Sequence, residues 1–416
     1  MNERHPVRLT IDDDLQRSRL TVFFRLLLAI PHFLWLGLWS IGVFVAAVVN
    51  WFATLFTGQS PAALHDFLAA YVRYTVHVVA YVSLAANPYP GFLGQTGYPV
   101  DVEIDPPARQ NRWVTGFRLV LAIPVLLLQS IFLGPGASYG GWRSAFSGGV
   151  VSTAAVLGWF ASLARKAMPR GLRDLNAYSI GYVAQADAYL LLLTDRYPNV
   201  DPSTHLPSAE PVPHPVRLNS GDDLRRSRLT VFFRILLAIP HFLWLLLWGI
   251  AAAVALIVNW FVTLFAGTPA DSLQRFLSAY LRYQIHVFAY VALIANPFPG
   301  FMGEIGSYPL EVELPARERQ NRWVTGFRFF LGVPAFLISS ALHSLLFAAA
   351  LFGWFASLAT ARMPRQLQRV GAYALRYSAQ TTAYVYLITE RYPHSGPSVS
   401  ERSLEPADGP APLASS

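Results

Sequence analysis

An arginine inside an apolar helical stretch is the first chemical oddity of this chain. In "LAAYVRYTVHVVAYV" Arg73 stands one turn ahead of His77, and Tyr74 shares the adjoining stripe. The set returns as Arg282, Tyr283 and His286, and again as Arg376 and Tyr377 with Gln380 at the histidine position. A fourth copy has Gly181 and Gln185 instead, with Asp187 close by. A guanidinium at bilayer depth costs about 2.5–3.5 kcal/mol, so it must face protein or water. Such groups could surround an anionic headgroup, line an anion pathway or flank a protonatable histidine pair. Alternatively each arginine pairs with helix carbonyls or with Asp187, and the tyrosines bond between helices. Either way Arg73, His77, Arg282, His286, Arg376, Asp187, Tyr74, Tyr283 and Tyr377 are the polar candidates.

A second arginine set precedes a proline. Phe24-Arg25 leads to Pro31-His32, and the pattern recurs at Phe117-Arg118, at Phe233-Arg234 with Pro240-His241, and at Phe327-Arg328. Ser18, Thr21, Arg25 and His32 fall on one narrow stripe, which suits a helix in the headgroup interface with its arginine reaching water. Arg25, His32, Arg118, Arg234, His241 and Arg328 are therefore the interfacial candidates, and the Trp-Phe steps beginning at Trp51, Trp159, Trp260 and Trp354 read as membrane anchors. Other chemistry is not legible. The chain lacks a P-loop, an HExxH and a GxGxxG after a strand, and no Ser-His-Asp set can be placed by spacing. It has no cysteine, which excludes disulfides, thiolate metal sites and cysteine nucleophiles. Histidines without acidic partners are a weak metal signal. No metal, no cofactor and no enzymatic activity are expected.

Composition says what must carry these residues. The chain is 54% hydrophobic and 13% charged, against about 25% charged in soluble domains. Leu20–Phe56 contains a single formal charge, Arg25, and Leu229–Phe265 corresponds to it. Apolar runs of 18 or more residues read as membrane-embedded. The first run begins too late, is too long and recurs internally, so it is not expected to be a cleavable signal. The net charge of +8 arises from basic residues flanking apolar runs, which suits anionic lipid headgroups rather than nucleic acid.

The chain is written in quarters. His5-Pro-Val-Arg-Leu returns as His214-Pro-Val-Arg-Leu, and Asn87-Pro-Tyr-Pro-Gly-Phe as Asn296-Pro-Phe-Pro-Gly-Phe. Each half repeats the order Phe-Arg, Pro, Trp-Phe and a tyrosine pair twice. The expected domains are 1–198 (quarters 5–90 and 98–198) and 214–394 (quarters 214–299 and 308–393). A proline-rich linker, 199–213, joins them, and a disordered tail, 395–416, follows. Each quarter opens with a period-two alternation that reads as a strand. The odd strands are basic (Arg8, Arg217) and the even ones acidic (Asp101, Glu103; Glu311, Glu313), which suits cross-strand pairing.

A straight helix over Leu20–Phe56 would be about 55 Å long, against a hydrocarbon core of about 30 Å. A break near Ser40 is expected, because the second quarter inserts "GPGASYGGWRSAFSGG" (134–149) there. The pieces are an interfacial or re-entrant helix, about 17–39, and a hairpin of two spans, about 41–57 and 62–86, turning at "TGQSP". The expected fold is thus a mainly α membrane protein of four β-α-α-α quarters, with about eight transmembrane helices and a small β cap on one side. If the first piece also spans, alternate quarters invert.

The string "HPVRL…FFRLLLAIPHFLW…NWF…RY…NPYPGF" resembles bacterial membrane proteins of unknown-function domain family 4389, often seen in actinobacteria, over about 5–198 and 214–393. The even quarters depart most, lacking the Pro-His and Asn-Trp-Phe forms. The resemblance implies a multi-pass protein of the bacterial cytoplasmic membrane and supplies no catalytic residues. The leading expectation is a non-enzymatic lipid- or anion-binding, transporter-like component, with membrane lipids, anionic ones included, as its partners. The alternatives are a membrane scaffold with purely structural arginines and, last, an intramembrane lipid-modifying enzyme.

Overall fold

A short strand, Val7–Ile11 (β1), leads into one unbroken helix of 39 residues, Arg19–Thr57 (α1). A tight turn then returns the chain as the 21-residue helix Ala62–Val82 (α2), followed by Val100–Ile104 (β2). The next long stretch is broken into Arg112–Gly116 (α3), Arg118–Leu121 (α4), Ile123–Leu133 (α5) and Val150–Arg165 (α6). It returns as Arg170–Leu190 (α7), and a short turn of helix, Pro202–His205 (α8), follows. The second half repeats the plan with Arg217–Ser220 (β3), Arg228–Ala266 (α9), Asp271–Val291 (α10), Leu310–Glu313 (β4), Arg322–Gly326 (α11), Arg328–Thr360 (α12) and Arg365–Val385 (α13). The computed structural model describes residues 4–134, 148–206 and 212–397. Most of the inserted 134–149 segment, residues 207–211 of the linker and the tail from 398 on lie outside the described residues. The chain packs as two compact units, the bulk of the first ending at Ser208 and that of the second beginning at Ala209.

The sequence-based architecture needs correction. Among the described residues, three helices, α1, α9 and α12, are long and apolar enough to cross a membrane, not about eight. The odd quarters are β-α-α rather than β-α-α-α, and their long helix does not break near Ser40 or its counterpart Gly249, whereas the second quarter is divided into more pieces, α3 to α7. α1 also passes Pro31 without interruption, as α9 and α12 pass Pro240 and Pro334. The reason is lateral support. The buried residues of α1 (Val22, Arg25, Ala29, His32, Leu36, Val43, Ala46, Asn50 and Thr54) recur mostly at spacings of three and four and form one seam. Against it lies α2, with Tyr81 beside Arg25, and Ser60 of the turn that leads into α2 bonds Asn50. Gly58, at φ +79°, ends α1 in the left-handed region and donates its N–H to the Thr54 carbonyl. Away from the seam α1 is apolar and exposed, from Leu20 to Phe56.

Within each unit the two quarters are exchanged around a common centre. β1 pairs antiparallel with β2, and Leu9 meets Val102, residues that stand equally far ahead of Arg25 and Arg118. β3 pairs likewise with β4, Leu218 meeting Val312. Trp51 donates to the Thr115 carbonyl at 2.9 Å, while Trp159 donates to the Val22 carbonyl at 2.9 Å. Trp260 and Trp354 repeat the exchange on Thr325 and Val231. These indoles, expected as membrane anchors, bind the sister quarter. Arg8 bridges Glu103 at 3.3 Å and Asp105 at 2.8 Å across the strands. Like charges directly opposite destabilise a strand pair, and exposed pairs contribute at most about 1 kcal/mol. Arg8→Glu should lower the unfolding midpoint in detergent modestly, and Glu103→Arg added to it should recover much of the loss. Additive damage in a thermal melt would contradict the pairing.

Candidate functional site: the buried arginines and the helix–strand junction

The Phe-Arg arginines do not reach an interface. Arg25 is 1% exposed in the α1 seam, and its guanidinium closes the end of α2. Nη1 donates to the Tyr81 carbonyl at 2.6 Å and to the Ala86 carbonyl at 2.9 Å, and Nη2 to Asn87 Oδ1 at 3.0 Å. The same group lies 4.4 Å from the centre of the Tyr81 ring, a cation–π contact. Arg234 repeats every bond on Tyr290, Ala295 and Asn296. Arg118 holds the carbonyls of Tyr189 and Thr194 together with Gln110, and Arg328 those of Tyr384 and Thr389.

The grip falls where it is needed. The last carbonyls of a helix have no partner within it, and a cation there also meets the negative end of the helix dipole. Just beyond each helix stands a leucine at positive φ: Leu84 (63°), Leu192 (59°), Leu293 (63°) and Leu387 (62°). That conformation costs an L-residue about 1–2 kcal/mol. Leucine occupies it because each of these side chains is buried in the core, where glycine would leave a hole.

His32 is also inside rather than interfacial. Its Nδ1 lies 2.7 Å from the Tyr74 hydroxyl, with Tyr89 and Phe92 packed on the ring at centroid distances of 4.5 and 4.6 Å. His241 repeats this with Tyr283, Phe298 and Phe301. Phe92 is held by the Asn-Pro-Tyr-Pro-Gly-Phe loop, which crosses α2 closely at Gly94. A Cβ there would come within 2.3 Å of the Ala70 carbonyl, and φ is +61°. Only glycine fits.

The Arg73 set serves a different contact. Arg73 and His77 sit midway along α2 and meet β2. His77 Nε2 lies 2.9 Å from Asp101 Oδ1, and Arg73 is 3.6 Å from the same carboxylate and 3.3 Å from the Val102 carbonyl. Asp101 was expected to face its partner strand. It turns inward instead and also accepts the N–H groups of Gly97 and Val102. Burial alone would raise its pKa, but the His77 bond and these two N–H donors outweigh it and hold the carboxyl below 3.8. In the second unit Arg282 lies 3.6 Å from Glu311 and 3.4 Å from the Val312 carbonyl, and the His286 ring stacks on Tyr308.

In the even quarters an amide takes the histidine's place. Gln185 donates to the Val7 carbonyl and Gln380 to that of Val216, so each inner helix holds the sister quarter's strand. Gly181 replaces the arginine because His205 fills that space: a Cβ on Gly181 would stand 2.7 Å from its ring. Val200, Asp201 and His205, at the start of the stretch 199–213, are buried. Asp187 Oδ1 accepts from Gln129 Nε2 at 2.7 Å. Arg376 is buried over the Tyr373 ring, and Tyr377 lies beside Thr381. The two histidine sets do not converge: His32 faces the α1–α2 seam and His77 the strand. Among the described residues no three His, Asp or Glu side chains are grouped to hold a metal ion.

Buried hydrogen-bonded arginines, polar inner helices and apolar outer ones define a largely helical, membrane-embedded repeat protein. Residues 19–94, 228–302 and 322–395 match the family described as Domain of unknown function (DUF4389), over more than half of the chain, and the protein belongs to that family. The second quarter, with its insertion and its Gly181, is the one left unmatched. No curated protein and no solved structure matches the chain.

Each buried carbonyl stripped of its donor costs about 1–3 kcal/mol. Arg25→Met should therefore depress the unfolding midpoint far more than Arg19→Met, whose arginine is exposed; equal effects would contradict the capping role. Asp101 has a depressed pKa, so its ionised form stabilises the fold above 3.8, and that stability is lost as pH falls through the lower folded value. The stability difference between wild type and Asp101→Asn should thus be full at neutral pH and narrow below about pH 4. A gap that widens on acidification would refute the assignment.

Proposed function

We propose that the protein is a non-enzymatic membrane scaffold whose repeated arginines are structural. What carries this reading is where the guanidinium donors go. Arg25, Arg118 and Arg234 bond to backbone carbonyls and side-chain amides within their own unit, Arg328 bonds to two carbonyls, and Arg73 and Arg282 each face a carboxylate. A transporter-like component that captures anionic headgroups needs cationic donors aimed at a ligand. Of the arginines in these two sets, Arg73 and Arg282 come nearest, at 19% and 14% side-chain exposure, yet Asp101 and Glu311 offset their charge. The bacterial cytoplasmic membrane is the location this reading carries, with bulk lipid as the partner of the exposed apolar helices.

The test is lipid retention. Purified protein carrying both Arg73→Gln and Arg282→Gln should keep the same bound anionic lipid as the wild type, measured by native mass spectrometry, while its melting point falls. Loss of anionic lipid at an unchanged melting point would overturn the scaffold reading in favour of headgroup binding.

A further inference from the structure

We infer that α1 and α9 do not cross the bilayer but lie along it, so that each unit is sunk into one leaflet with its strand pair on the aqueous side. This concerns the disposition of the apolar surface and does not depend on the scaffold reading. It follows from where the strands rest. In the first unit β2 meets α2 at Arg73, midway along that helix, and at His77 one turn further on, and β1 meets α7 at Gln185, before that helix ends. The strand pair therefore lies alongside the inner helices, within their length and not beyond their ends. α1 runs beside α2 from Arg25 to Asn50, so the middle of α1 is level with the same strands.

Chain length leaves no way round this. From the end of β2 at Ile104 the chain takes only five residue steps to Arg109, which pairs with Gln59 just past the end of α1. Five residues reach at most about 18 Å. From β1, residues 12–18 reach the other end of α1, at most about 25 Å. The helix itself is about 58 Å long. If α1 crossed the membrane, its ends would lie in opposite headgroup layers. The strand pair between them, with Arg8, Glu103 and Asp105, and the connection bearing Asp12 and Asp14 would then pass through hydrocarbon. With α1 in the plane, those charges stay in water while Phe23, Leu34, Ile41 and Phe56 face acyl chains.

The flanks agree. Exposed basic residues stand at both ends of α1, with Arg19, Arg165 and Lys166 at the start and Arg109 and Arg112 at the finish. Both groups then meet the headgroups of one leaflet. The second unit repeats the arrangement by itself. Arg282 of α10 meets Val312 of β4, and Gln380 of α13 meets Val216 next to β3.

The chain has no cysteine of its own, so single cysteines report its disposition directly. Gln16→Cys and Ala62→Cys mark the two ends of α1 at exposed positions. Each full-length variant would be treated with a membrane-impermeant maleimide in right-side-out and in inverted vesicles. Both should label in the same vesicle orientation. Labelling of one in each orientation would establish a crossing helix and overturn the proposal. Oriented circular dichroism of the wild-type protein in aligned bilayers gives a reading free of any substitution. Helices lying in the plane give the in-plane spectrum, and a spectrum dominated by helices along the membrane normal would likewise overturn it.

Discussion

The fold hangs on an arginine closing the end of a helix that is not its own. In each quarter a guanidinium from the outer helical stretch holds the last carbonyls of the inner helix and stacks on its final tyrosine. Buried helix ends without partners are costly, and in a membrane-embedded protein there is little water to supply them. The arginine meets that need and in doing so sets the register between the two helices. It also lets the chain turn through a left-handed leucine that remains in the core. Those leucines, and the loop that returns over Gly94, have their places because the helix ends there.

Around this joint the polar and apolar residues are sorted in an unusual direction. The inner helices are the more polar ones: α7 buries Asp174, Asn176, Ser179, Gln185 and Asp187. The outer helices are apolar nearly all round. Polar groups taken inside need partners, and Gln185, Asn176 and His77 find theirs in a sister-quarter carbonyl, a helix-end carbonyl and a strand carboxylate. The outer helices need no such partners, since their exposed surface faces a medium as apolar as themselves.

Much of this was legible in the residues. The repeat landmarks mark the quarters, and the polar positions are those that the structure buries and bonds. Two things were hidden. Hydropathy counts how long an apolar run is but says nothing of its direction relative to a membrane, so a 39-residue helix supported along one side was read as two pieces. Backbone acceptors leave no letter either. Arg25 binds the carbonyls of Tyr81 and Ala86, which any residue there would offer. Asp101 was visible as an acid in a strand, but alternation turned it outward. Its contact with His77 required knowing that α2 packs on that strand. The identity of position 205 was likewise unreadable as the reason for Gly181.

The reciprocal tryptophan bonds have a consequence for how such a chain arose. Trp51 closes on the sister quarter and Trp159 closes back, the strands complete each other, and each inner helix supports the other's strand. A lone quarter would expose an unpaired strand, an unclasped indole and one face of its inner helix. Two identical quarters on separate chains would satisfy all three at once by swapping them. Each half of this protein therefore has the geometry of an exchanged homodimer written on one chain. With both quarters on one chain the two positions need not match, and Gly181 stands where the sister quarter has Arg73.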